Sequence, residues 1–172
     1  TILSMNKLLK EHPRVGVLSP CSSRWGERHL LKPESTKYFW FIHNNALLLR
    51  RSFIEDIMEN KNPNHLNFVF DGTNFRGYFS ESELIAKAYA NNWATAITTK
   101  VFAEENESYL FNKADLIRTE NYDENIKLYL EEGQSWLRRK YGFNSRWTMQ
   151  QYVKSFYDLF FEYYPEYKKF KI

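Results

Sequence analysis

Apolar positions recur along the chain in blocks whose period changes from helical to extended and back. Ile2, Leu3, Met5, Leu8 and Leu9 have helical spacing, stopped by Pro13. Val15 to Leu18 predicts a short buried strand ending at Ser19-Pro20. The polar loop Cys21 to His29 carries one tryptophan, Trp25, which is either a lid over core or a platform for a ligand ring. Tyr38 to Leu49 is the strongest strand expectation, and Arg50-Arg51 closes it. His43, Asn44 and Asn45 interrupt that run and predict a bulge or a site, because buried polar groups must be paired. Ser52 and Glu55 have capping-box spacing and open a helix through Phe53, Ile54, Ile57 and Met58, ended by Lys61-Asn62-Pro63-Asn64.

An aromatic loop from Phe68 to Phe75 leads into Gly77-Tyr78-Phe79-Ser80-Glu81-Ser82-Glu83-Leu84. Ser80 with Glu83 three residues on predicts a second capping box and a helix through Leu84, Ile85, Ala88 and Tyr89. Residues two apart on a helix point about 200° apart, so the cap leaves Glu81 without a role. Glu81 then sits in the first turn, where the helix dipole favours its ionised form, and can serve as a general base. Acidic residues are also simply favoured in first turns. Asn91-Asn92 ends the helix, Trp93 to Phe102 alternates as a strand, and Ala103 to Ser108 reads as a solvated acidic turn whose carboxylates could hold a metal.

From Asn121 the period is helical again, with Ile126, Tyr129, Leu130, Gly133 and Leu137 as the inner stripe and Gly142 as the cap. Thr148 and Gln151 predict a further capping box, opening a helix with Tyr152, Val153, Phe156, Leu159, Phe160 and Tyr163 on one face and Pro165 at its end. The basic tail from Tyr167 is expected to fray. Strands alternating with helices make the chain α/β, with a C-terminal helical pair over 116–172 packed on 1–115.

The 172 residues suffice for one well-buried core, and 43% hydrophobic with 26% charged residues is ordinary for a globular protein. Aromatics at 18% are in excess and supply rings for a cleft or an interface. A net charge of +3 does not specify a nucleic-acid partner. The lone Cys21 fits a reducing compartment, and no apolar run reaches the ~18 residues of a membrane helix. A soluble, cytoplasmic protein is expected, with docking on the inner face of a membrane left open. Because the chain opens on Thr1 in mid-pattern, a longer parent polypeptide or a trimmed tag is also expected.

The order of these pieces resembles the acceptor-side half of the family 2 glycosyltransferases with the GT-A fold. An apolar strand runs into a basic pair and a helix (Ala46 to Phe53), followed by Phe70-Asp71, the acidic motif Ser80-Glu81-Ser82-Glu83-Leu84, Lys87, and Asn92-Trp93. The resemblance spans roughly Ile2 to Ser108 and implies an incomplete GT-A-like mixed sheet flanked by helices over 1–115. It implies an inverting transfer of sugar from a nucleotide-sugar donor to a carbohydrate acceptor, as in polysaccharide biosynthesis, with Glu81 as base. It also implies an acceptor cleft with Trp25, Trp40, His43, Asn44 and Asp71; for the two tryptophans core packing is an equal expectation. Glu81 stands where the family more often has Asp, and Ser80 where it often has a further acid. The family's Asp-x-Asp, which holds Mg²⁺ or Mn²⁺ and the diphosphate, has no counterpart in the chain, nor has its His after the following strand. Glu104 or Glu105 could substitute as a carboxylate ligand. The chain by itself is therefore expected not to transfer sugar.

Two rival readings come from the C-terminal residues. One is a non-enzymatic interaction module, with the aromatic helix from Thr148 and the basic helix end Arg138-Arg139-Lys140 docking onto a missing domain, a partner, a membrane surface or a second copy. The other is single-strand nucleic-acid binding through Trp136 to Trp147, which is not the expected partner because helix structure accounts for much of that segment.

Overall fold

The computed structural model describes residues 1–23, 26–42, 46–58, 69–104 and 122–172. In chain order they form α1 (Ile2–Glu11), β1 (Val15–Cys21), a 3-10 turn (Gly26–Leu30), β2 (Thr36–Tyr38), β3 (Leu48–Leu49) and α2 (Arg51–Ile57). Then follow α3 (Ser80–Ala90), β4 (Ala94–Phe102), α4 (Tyr122–Tyr141), α5 (Arg146–Tyr163) and a 3-10 turn (Pro165–Phe170). The fold is α/β, an open mixed sheet of order β2-β4-β1-β3 with helices packed on it.

β1 and β4 run parallel at its centre, from Val15 opposite Ala94 to Pro20 opposite Thr98. Parallel neighbours need a crossover, which α2 and α3 supply, and both strands are covered on two faces. This is why Val15, Val17, Leu18, Ala94, Ala96 and Ile97 are all buried instead of alternating. β1 runs on through Pro20, past its expected end. The edge strand β3 reaches only Val17 and Leu18, so the proline removes no bond from that ladder.

The long strand expected over Tyr38 to Leu49 is instead two short edge strands on opposite sides of the sheet. β2 pairs antiparallel with β4, and β3 antiparallel with β1. Between them Phe39 and Ile42 enter the core, and Tyr89 Oη and Thr95 Oγ1 donate to the Phe39 carbonyl at 3.2 and 2.5 Å. Apolarity identified residues that must be buried, but not whether a ladder or a core buries them. His43, Asn44 and Asn45 lie outside the described residues, as does Lys61 to Asn64.

Helix α2 begins one residue earlier than its expected cap. Arg50 is the N-cap, and Ser52 lies inside the helix without capping it. The Arg50 guanidinium donates to the carbonyls of Leu9 (2.5 Å), His12 (3.1 Å) and Val15 (2.8 Å), joining the end of α1 to β1. In α4, Gly133, Trp136 and Leu137 are buried, whereas Ile126 and Leu130 of the expected stripe are 41% and 38% exposed. Tyr129 of its first half packs on Tyr78, and its second half meets Tyr78 at Gly133 and Asp71 and Glu83 through Trp136 and Lys140. α5 is capped by Ser145, whose Oγ accepts from the Thr148 amide (3.3 Å), not by Thr148 and Gln151. Its inner face is Met149, Val153, Tyr157, Phe160 and Phe161, rotated from the expected one, so that Leu159 and Tyr163 face out. That rotation lays α5 on α3 and brings Tyr157 under the tail.

The tail is docked rather than frayed. Ile172 N–H donates to Tyr157 Oη at 3.1 Å, Lys171 bridges to Tyr38, and Lys37 Nζ donates to the Lys169 carbonyl at 3.0 Å. Among the described residues no helix is long and apolar enough to cross a membrane.

Candidate functional site

The approach to α3 is a staircase of tight turns. Asn74 N–H donates to Asp71 O (3.1 Å), Gly77 N–H to Asn74 O (3.0 Å) and Ser80 N–H to Gly77 O (3.1 Å). Gly77 (φ +72) and Phe79 (φ 59) take left-handed backbone conformations. That geometry suits glycine, but for Phe79 it costs of order 1–3 kcal/mol, offset by burial of its ring. Gly133 lets α4 close over this turn, since a Cβ there would stand 1.9 Å from Tyr78 Cδ1. Asn74 donates to the Tyr78 carbonyl at 2.7 Å, while its buried Oδ1 has no hydrogen-bond partner among the described residues.

The expected Ser80–Glu83 capping box does not form. Phe79 is the N-cap, without a side-chain cap bond, and Glu83 turns inward instead. Glu83 is 2% exposed and Asp71 4%. Lys140 of α4 bridges them, with Nζ 2.5 Å from Glu83 Oε1 and 2.6 Å from Asp71 Oδ2. Trp136 Nε1 donates to Asp71 Oδ2 at 3.0 Å, Thr73 donates to Asp71 Oδ1 from its amide (2.8 Å) and hydroxyl (2.7 Å), and Tyr141 Oη donates to Glu83. Lys87 adds a longer contact to Glu83 at 3.8 Å. Burial by itself would raise the Asp71 carboxyl, but the hydrogen bonds from Lys140, Trp136 and Thr73 outweigh it and hold Asp71 well below the usual carboxylate range. Burial would likewise lower the Lys140 ammonium, and its bonds to Asp71 and Glu83 raise it instead. Asp71, expected in an acceptor cleft, thus has both oxygens engaged in joining the turn to α4.

Glu81 faces elsewhere, as the helical angle requires. It is partly buried in the first turn of α3, in the electrostatic reach of Tyr78, Tyr129 of α4 and Arg146 of α5. Burial raises its pKa, against a hydrogen bond from its own amide and the charge of Arg146. The dipole was expected to favour the ionised form; loss of water around the carboxyl outweighs it. Burial, with Glu81 next in weight, pushes the Tyr129 phenol up to about 12. The Arg146 guanidinium lies over two rings, 5.5 Å from the centre of Phe41 and 5.3 Å from that of Phe79. The elements meeting here are therefore the start of α3, α4, the start of α5 and the segment after β2.

Trp40 is half-buried against Phe39 (4.5 Å between ring centres) and Tyr157 (4.9 Å), with Lys154 Nζ 5.5 Å over its ring. Trp25, His43, Asn44 and Glu105 lie outside the described residues. Glu104 accepts hydrogen bonds from Ser22 Oγ (3.0 Å) and the Ser23 amide. Among the described residues no three His, Cys, Asp or Glu side chains converge as a metal site. Trp136 is buried with its Nε1 on Asp71, so it offers no face to a nucleic-acid base. Sequence reasoning missed Lys140, Tyr141 and Arg146 as parts of the site. In the sequence Lys140 belongs to a basic helix end suited to docking, and nothing in a linear pattern pairs it with residues about 60 positions earlier. No family model, curated protein or solved structure matches the chain.

Proposed function

We propose that the chain is the acceptor-binding and catalytic-base half of an inverting nucleotide-sugar glycosyltransferase, with Glu81 as the base. The observation that carries this reading is the Glu81 carboxyl itself, half-sheltered at a loop-to-helix junction with its pKa raised by burial. A carboxylate so raised is a better proton acceptor at neutral pH than one in water. Here it would take the proton from an acceptor hydroxyl while that oxygen displaces the nucleoside diphosphate. Tyr78 and Tyr129 stand within electrostatic reach of the carboxyl. Mg²⁺ or Mn²⁺ would neutralise the leaving diphosphate, held by donor-side residues that the resemblance puts before α1. The buried lone Cys21 is in keeping with a reducing, cytoplasmic setting under the same reading.

The test is Glu81→Gln in the complete enzyme, read by turnover and by stability. Loss of a general base lowers turnover about 10²–10⁴-fold. The raised pKa also means that the folded state holds the Glu81 proton more tightly than the unfolded chain does. Stability is thus lost as pH rises from the unfolded carboxyl value through the folded one. Glu81→Gln should accordingly be more stable than wild type at neutral pH and equal to it in acid. Near wild-type turnover would remove the base assignment and leave the interaction-module reading. That second reading is favoured by one observation, the outward Trp147 (71% exposed), Tyr163 (71%) and Leu159 (43%) on α5.

A further inference from the structure

Arg146 is the charged group beside Glu81 that the base assignment leaves unused. It is the first residue of α5, solvent-exposed, and lies over the Phe41 and Phe79 rings at 5.5 and 5.3 Å. Two rings from different segments limit where the guanidinium can go, while its edge stays open to solvent. No described carboxylate forms an ion pair with it. Glu81 is near enough to feel its charge, but no ion pair joins the two. A planar fork of donors held open near a proton acceptor matches a ligand that carries both an oxyanion and a hydroxyl. A uronic acid sugar is the simplest carbohydrate of that kind.

We propose that Arg146 selects an anionic acceptor, binding a sugar carboxylate while Glu81 faces the hydroxyl that reacts. This rests on the reading of Glu81 as base. It adds an electrostatic consequence: a carboxylate on Arg146 offsets the positive charge that acts on Glu81, so the correct acceptor makes Glu81 a stronger base when it binds.

The experiment compares methyl β-D-glucuronide with methyl β-D-glucoside, two probes of one shape that differ by the carboxylate, titrated into the 172-residue chain and followed by saturation-transfer NMR. The wild-type chain should prefer the glucuronide about tenfold or more, the range for a charge-assisted hydrogen bond. Arg146→Gln should abolish the preference, and Arg146→Lys should keep part of it. Equal binding of the two probes, no binding of either, or a preference that survives Arg146→Gln overturns the proposal. Displacement of the glucuronide by UDP at lower concentration than the glucuronide itself would give the guanidinium to the donor's diphosphate and overturn it equally. Glu81→Gln separates the two readings: it should keep the glucuronide preference whatever its turnover, so a failed base assignment and a failed anion site give different results.

Discussion

Replacing Lys140 by Met tests whether the buried ion cluster holds the start of α3. The Met side chain keeps most of the apolar stem of lysine, so the packing change is small and the lost charge dominates. Lys140 is 24% exposed on its side chain, whereas its partners Asp71 and Glu83 are 1% and 2% exposed. The substitution therefore leaves two carboxylates buried beside each other, with Trp136, Thr73, Tyr141 and the more distant Lys87 as their remaining partners. Removing one member of a buried pair costs about 3–5 kcal/mol, a large share of the ~5–15 kcal/mol that holds a domain folded. The assay is urea unfolding followed by tryptophan fluorescence, since Trp136 donates to Asp71 and reports on the cluster directly. The loss should also depend on pH. With the folded Asp71 held below its unfolded value of about 3.9, wild type keeps this stability above that value and loses it only as pH falls through the folded one. The variant regains stability when its orphaned carboxylates take up protons, so the gap between the two should narrow in acid. A loss below about 1 kcal/mol at pH 7, or a gap independent of pH, would refute the assignment, since that is the worth of an exposed pair. Adding Asp71→Asn to Lys140→Met should restore part of the loss, because it removes one unpaired charge.

Two further substitutions probe the frame around the site. Gly133→Ala puts a methyl 1.9 Å from Tyr78 Cδ1, and should cost about 1–3 kcal/mol in chemical denaturation and move Tyr78 in near-ultraviolet circular dichroism; an unchanged midpoint would deny the close approach of α4. Ser145→Ala removes the acceptor for the Thr148 amide at the start of α5 and should lower stability by about 1 kcal/mol, whereas Thr148→Ala, aimed at the cap expected from sequence, should cost less; the reverse order would move the cap back to Thr148.

Much of the chain's local structure follows from sequence alone, because it depends on near neighbours. The spacing of Met5, Leu8 and Leu9 sets α1, Asn91-Asn92 ends α3 with Asn92 left-handed, and Gly142 closes α4 in the same conformation. Alternating helices and strands were sufficient for the α/β class, and the angle between Glu81 and Glu83 for their divergence. Tertiary structure decided what depends on partners distant in the chain. Three capping boxes with correct spacing are not used, because the Arg50 side chain is drawn to β1 and α1, Glu83 to Lys140, and α5 starts at Ser145. The apolar run from Tyr38 is divided between two edges and the core, since hydrophobicity says that a residue leaves water and not which neighbour it meets. The protonation of Glu81 depends on distant partners for the same reason. The helix dipole is local and legible, but the desolvation that overrides it comes from rings and helices brought to the carboxyl only by the fold.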